Sequence, residues 1–256
     1  MNFDKRYNRA ISQSLMESYL KCGLAAQRQY IEGCRLISSR MAIGTGVSRA
    51  AEVDNKSKIK TGGGISLADI QDIAVNAYDL EINDNEVNES KLEISRSKDR
   101  ASNAAIAYGE RVSPKIQGVI AAEEPITIVI RGIRYAGTPD VITTDGLGDT
   151  KAGKPWSQER ANRSRQLTGY SMLHMGRYKE FPRCVWIDSL SDNAKGWTAS
   201  RFWSSRTKSD YDGFEYCLME VASGLKAGIF KPAAEASWWC SEKWCRFYTS
   251  CPAQGH

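Results

Sequence analysis

The chain has 256 residues, 41% of them apolar and 25% charged, with a formal net charge of +5. This is the composition of a soluble globular protein long enough to bury a sizeable core. It excludes a membrane span, since apolar runs such as that over residues 125–130 fall far short of the about 20 residues a bilayer requires. The start, MNFDKRYNRA, lacks an apolar secretory segment, so a cytoplasmic location is expected. Seven cysteines in such a chain argue against a disulfide framework.

In chain order, the spacing of Leu15, Tyr19, Leu20, Leu24 and Tyr30 predicts one helix over residues 12–37, capped by Ser12 or Ser14. Residues 41–58 are expected to begin with a Gly-rich turn and continue as a second helix, followed by a break at Thr61–Gly64 (TGGG) and a third helix over 66–80. Residues 82–92 are polar and read as a loop, and a helix follows over about 95–113. The texture then turns β-rich over 117–131, 132–143 and 146–151, with a tight turn expected at Thr144-Asp145-Gly146. A helix over 157–177, strands over 183–190 and 196–204, and a helix over 207–228 complete the pattern. This order implies an α/β (α+β) fold, a central mixed sheet flanked by helices. The expected organisation is a single domain over 1–256: a helical part over 1–113, a core over 114–230 and a Cys-rich tail over 231–256.

The stretch GTPDVITTDGLGDTKAGK puts Asp140 at the end of one strand and Asp149-Thr150-Lys151 on its hairpin partner. Strand alternation sends Asp149 and Lys151 to one face. Two hard carboxylates suit Mg²⁺ or Mn²⁺, which would activate water and stabilise charge on a scissile phosphate, with Lys151 orienting the nucleophile. Taken alone, the same residues more often mark the polar ends of an ordinary hairpin, since Asp and Lys flank many hairpins. Lys154, Arg160, Arg163 and Arg165 crowd around them, either as a phosphate-gripping surface or as a solvated helix face. On the next helix Gln166 and Tyr170, four apart, share a face.

Together GTPD, DTK and QLTGY resemble the PD-(D/E)XK nuclease superfamily, in particular its RecB-like exonuclease branch, whose motifs are Gly-x-x-Asp, Asp-x-Lys and Gln-x-x-x-Tyr in this order. The resemblance implies a restriction-endonuclease-like core and metal-dependent DNA hydrolysis. Asp140, Asp149 and the Thr150 carbonyl would hold the ion, and Lys151 the attacking water. Gln166 and Tyr170 would hold the DNA backbone or Lys151. In that branch a Gly-x-x-x-His helix adds a histidine, often with a glutamate one turn later. Here GTGVSRAAE matches at Gly44 and Glu52 but has Ser48 at the histidine position, a poor Mg²⁺ ligand that could hold a water of the ion. The stretch from Glu52 to Ile70 also resembles phage-encoded members.

The tail carries Cys240, Cys245 and Cys251 as C-x4-C-x5-C among Trp238, Trp239, Trp244, Phe247 and Tyr248. Three thiolates need a fourth ligand, and Cys22 is the candidate. One N-terminal with three C-terminal cysteines resembles the iron–sulfur RecB-like nucleases, implying a structural [4Fe–4S] cluster. The C-x4-C pair, where C-x2-C is usual, leaves Zn²⁺ as the alternative and unligated thiols as a third. Cys34, Cys184 and Cys217 are expected to be packing residues, and neither His174 nor His256 is an evident ligand.

The leading expectation is a divalent-metal-dependent DNA exonuclease, not sequence-specific, acting on single- or double-stranded DNA in phage recombination, repair or degradation. A homo-oligomer or a recombination partner protein are its expected associates, and no membrane. The second is a nuclease-fold DNA-binding accessory protein with little or no cleavage, motivated by Ser48. The third is a metal-stapled module for protein assembly.

Overall fold

The computed structural model describes residues 9–87, 89–194 and 196–254. His256 lies outside them. The strands are β1 (Ile11–Ser12), β2 (Leu36–Ile37), β3 (Glu86–Val87), β4 (Val119–Ala122), β5 (Ile126–Ile130), β6 (Ile133–Gly137), β7 (Val141–Thr143), β8 (Gly146–Gly153), β9 (Cys184–Asn193) and β10 (Gly196–Ser204). The α-helices are α1 (Gln13–Lys21), α2 (Gly23–Ala26), α3 (Ser39–Thr61), α4 (Leu67–Asn83), α5 (Lys91–Arg111), α6 (Gln158–Asn162), α7 (Arg165–Tyr178) and α8 (Lys208–Ala227). The fold is mixed α/β with mixed sheets, of the restriction-endonuclease-like kind. The chain forms two compact units. One comprises residues up to Leu36, Thr127–Gly137 and the chain from Lys208 onward; the other comprises Ile37–Ile126 and Thr138–Thr207.

The larger unit, from Ile37, is built on a five-stranded sheet of order β10-β9-β8-β7-β4. β8 and β9 run parallel, and the other neighbours antiparallel. Buried alanines of α3, α4 and α5 (Ala42, Ala50, Ala51, Ala74, Ala101, Ala104, Ala105) let these helices approach closely over one face of the sheet. Gly46 marks the tightest point, where a Cβ would lie 2.5 Å from the Ala74 carbonyl oxygen. Trp186 and Leu190 on β9 point into this core. Asp54 of α3 is fully buried in it. Its carboxylate pairs with Lys58 at 2.9 Å and accepts hydrogen bonds from Tyr108 Oη (3.0 Å), Ser113 Oγ (2.6 Å) and the Ile65 N–H (3.1 Å). Gly148 of β8 lies under Trp186, where a Cβ would sit 2.1 Å from the ring. Its neighbours Asp149 and Ile187 therefore face away from the three-helix layer, toward α7, which packs on β8 and β9.

The other unit pairs β1 parallel to β6 and joins β5 to β6 through Arg131 and Gly132, both at positive φ (51° and 79°) as a two-residue hairpin turn of type I′ requires. Tyr135 is fully buried; its hydroxyl donates to Gln13 Oε1 (2.7 Å) and its ring meets Phe214 of α8 edge-on at 5.1 Å.

Five sequence expectations need correction here. The Gly-rich turn expected at the start of residues 41–58 is helical, inside α3, with Gly46 serving close packing against Ala74 of α4. The helix foreseen over 12–37 is broken at Cys22, which adopts an extended backbone (φ −163°, ψ 107°), and continues as α2 and a π-helical turn over Gln27–Ile31. The cause is tertiary: Gly23 lies against the Lys231 backbone, and Leu24 N–H donates to the Lys231 carbonyl (3.2 Å). The helix foreseen over 157–177 is two, because Ser164 caps α7 by accepting from Leu167 N–H. The polar loop over 82–92 holds the short strand β3. Cys34 is exposed, hence no packing residue, whereas Cys184 and Cys217 are half-buried.

Candidate active site

The hairpin of β7 and β8 sets Val141 opposite Gly148, so that Asp140, one residue before β7, comes to lie opposite Asp149. Asp140 accepts the Thr150 N–H through Oδ2 (2.8 Å), and its own carbonyl accepts the Glu123 N–H (3.3 Å). Asp149 is buried. Lys151 Nζ donates to its Oδ1 at 3.0 Å and lies 2.7 Å from Oδ2. From α7 Gln166 Nε2 donates both to Asp149 Oδ1 (3.0 Å) and to Tyr170 Oη (2.9 Å). Five residues singled out from the sequence, Asp140, Asp149, Lys151, Gln166 and Tyr170, thus meet beside the middle of β8.

Electrostatics tighten the group. Loss of water and the adjacent Asp149 charge push the Asp140 carboxyl well above the usual carboxylate range, against the pull of Lys151 and the Thr150 N–H. Burial draws the Lys151 ammonium toward neutrality, but the charges of Asp149 and Asp140 outweigh it and raise its pKa above the ordinary lysine value.

Glu123 joins the site and was not foreseen. It follows β4 with a left-handed backbone (φ 49°), a conformation that costs a non-glycine residue free energy and clusters at functional sites. Ser48 Oγ of α3 donates to its Oε1 at 3.2 Å, so the serine at the histidine position is turned to this carboxylate. Burial raises the Glu123 pKa, opposed by Ser48 and assisted by the charges of Glu52 and Asp149. In sequence, Glu123-Glu124-Pro125 reads only as a polar strand end, and its one signal is an acidic pair beside a proline. Glu52 is held between Arg49 and Lys56, at 2.5 Å each.

The donor set, a buried Asp149 beside Asp140 with the Lys151 ammonium as counter-charge, is of the hard-oxygen kind that a divalent cation takes. Among the described residues no group of three or more His, Cys, Asp or Glu side chains is placed to hold a metal ion. Lys154, Arg160, Arg163 and Arg165 are exposed on the segment joining β8 to α7, with Arg163 ion-paired to Glu159 (3.2 Å). His174 is buried, its Nδ1 2.8 Å from the Glu180 carbonyl.

Apart from this site, Cys22, Cys240, Cys245 and Cys251 line one small pocket with Leu24, Arg28, Phe247 and Tyr248. All four thiols are free. Burial raises the Cys240 pKa, and Cys245, Cys22 and Cys251 push it the same way. No helix among the described residues is long and apolar enough to cross a membrane.

Residues 10–252 match the family model of the PD-(D/E)XK nuclease superfamily. No curated protein matches the chain. Among solved structures, a proposed exonuclease from Eubacterium rectale superposes with a TM-score of 0.57 at 11% identity, covering 93% of this chain and 91% of the other. It shares the fold. The protein SSO0001 aligns at 12% identity over 94% of this chain and 96% of its own, with a TM-score of only 0.32. With a family model matched over nearly its whole described length, the chain belongs to the PD-(D/E)XK nuclease superfamily.

Proposed function

We propose that the protein is a Mg²⁺- or Mn²⁺-dependent DNA exonuclease of the RecB-like branch, hydrolysing phosphodiester bonds without a covalent enzyme intermediate. The observation that carries this reading is the convergence of Asp140, Asp149, Lys151 and Gln166 beside the middle of β8, with the buried Asp149 carboxylate held by the lysine and the glutamine. Asp140 and Asp149 would hold the ion, with the Thr150 carbonyl beside them. Bound there, the ion supplies Lewis-acid stabilisation of charge on the phosphate. Lys151, held by Asp149, directs an N–H toward the attacking water or a phosphate oxygen. Gln166 fixes the Asp149 carboxylate and ties it to Tyr170, so the constellation is oriented before substrate arrives. Burial and the Asp149 charge raise the Asp140 pKa, so a cation there competes with protons and metal affinity rises with pH.

Digestion of end-labelled linear DNA with Mn²⁺ or Mg²⁺, alongside the same sequence as a closed circle, tests the reading. Metal-dependent release of nucleotides from the linear form alone is expected. Binding of DNA without cleavage under either metal would sink it in favour of the accessory-protein reading, which the Ser48–Glu123 pair at the histidine position favours. DNA recombination, repair or degradation in a phage-infected or bacterial cytoplasm is the setting this activity suits, with a homo-oligomer or a recombination protein as associate.

The four thiols in one pocket support a structural [4Fe–4S] cluster, with Zn²⁺ as the alternative. As they stand, the four thiols do not form a metal-holding group. Anaerobically purified protein is expected to carry iron and labile sulfide, both lost in Cys245→Ser; zinc in their place would point to the alternative, and metal-free protein would remove both.

A further inference from the structure

The segment between β8 and α6 crosses the sheet on the face that carries Lys151. Trp156 N–H donates to Ser189 Oγ at 3.2 Å, and Ser189 is the register partner of Lys151 across the parallel β8–β9 pair. Paired residues of adjacent strands point to the same face about 4.8 Å apart. The tryptophan is therefore anchored one strand away from the lysine, on the lysine's own side. Its half-buried indole is covered by the Arg160 guanidinium, whose Cζ lies 3.9 Å from the ring centroid. Among the described residues Arg160 has no carboxylate within ion-pair distance; the indole is the contact its charge makes. The stack is held by local structure. Ser157 accepts from the Arg160 N–H (3.2 Å) as the cap of α6, and Gln158 Nε2 donates to the Trp203 carbonyl (2.6 Å), fixing the start of α6 to β10.

Arginine–indole stacks recur on ordinary surfaces; this one is set apart by a backbone anchor on the register partner of Lys151 and by a guanidinium with no carboxylate beside it among the described residues. A nucleic acid strand would use both groups, since every base offers a π-face for stacking and every linkage an anionic phosphate for the guanidinium. We propose that Trp156 and Arg160 form a nucleotide-stacking subsite, which seats an unpaired base of the DNA strand beside the scissile phosphate. The inference rests on the exonuclease reading and names a further property of that site: the substrate enters it single-stranded at that position, with no base identity selected. Lys151, Asp149 and Asp140 act on the phosphate; Trp156 sets which linkage lies over them.

The test is binding of a fluorescein-labelled single-stranded oligonucleotide by fluorescence anisotropy in EDTA. It compares an intact strand with one abasic at its three terminal nucleotides, for the full-length wild type, Trp156→Ala and Trp156→Phe. The wild type is expected to bind the abasic strand about tenfold more weakly than the intact one. Trp156→Ala should lose about the same factor on the intact strand and nothing further on the abasic one. Trp156→Phe should recover most of the loss, which a mere packing defect in the alanine variant would not allow while the phenylalanine variant still preferred the intact strand. Equal binding of both strands by a wild type that digests linear DNA would overturn the subsite and leave the exonuclease reading standing. Equal weakening of both strands by Trp156→Ala would also overturn it, as loss of a general contact. A wild type that prefers the intact strand yet cleaves nothing would keep the subsite and remove the exonuclease reading.

Discussion

Replacing Lys151 by alanine is expected to lower the single-turnover rate of DNA hydrolysis by about 10²- to 10³-fold, the scale on which one preorganised donor to a developing charge contributes. The ammonium sits 2.7–3.0 Å from both Asp149 oxygens, in the middle of β8, where β9 and α7 fix the backbone and Gln166 fixes the carboxylate. Its loss leaves the buried Asp149 carboxylate without a counter-charge, so the metal-free variant should melt below the wild type, and a cation on Asp149 should offset that loss. With Mn²⁺ bound the melting temperature should therefore change little. Metal affinity should behave oppositely to activity: the lysine's positive charge competes with a cation for Asp149, so calorimetry should find Mn²⁺ bound at least as tightly by the variant. An unchanged hydrolysis rate would remove Lys151 from the chemistry. A large fall in melting temperature with Mn²⁺ bound would reassign it to structure.

The second large effect is on stability. Asp54→Ala is expected to destabilise the larger unit by about 3–5 kcal/mol, the cost of stripping one partner from a buried ion pair. Asp54 is wholly enclosed, and its loss leaves Lys58, itself nearly buried, facing Tyr108 and Ser113 without a counter-charge. Burial already pulls the Lys58 pKa down, and Asp54 opposes that shift. Urea denaturation measures the loss. Asp54→Ala combined with Lys58→Met should recover part of it, since two apolar groups leave no buried charge unpaired. A single variant within about 1 kcal/mol of wild type would show the network to be loosely coupled.

How much of this was legible beforehand follows from where the determinants lie. The three motifs were readable because each is local: alternation places Asp149 with Lys151, and a four-residue step places Gln166 with Tyr170. The mixed sheet was likewise readable from runs such as Ile126–Ile130 set between turn signals. Glu123 was not, since it reaches the site through a register shift in β4 and a left-handed backbone that no spacing announces. Trp156 escaped for a related reason. It stands in an irregular segment, and its neighbourhood to Lys151 depends on a hydrogen bond to a residue 33 positions away. The break at Cys22 depends on the backbone of Lys231, more than two hundred residues later, whereas the local pattern continues a helix.

That last feature bears on the order in which the chain can fold during synthesis. Unit one draws on three separated stretches, the last beginning at Lys208, whereas the larger unit is complete once Thr207 has been made. The ribosome thus delivers every strand and helix around Asp149 before it delivers α8 and the tail. Until then β1 can pair with β6, but Tyr135 of β6 lacks Phe214 to pack on and the chain after Lys21 lacks Lys231 to set its bend. The first segment must wait for these partners, and the long-range closure that ends the wait is of the slow, high-contact-order kind. A chaperone-dependent or late-maturing first segment is the cost of tying the two ends of the chain together.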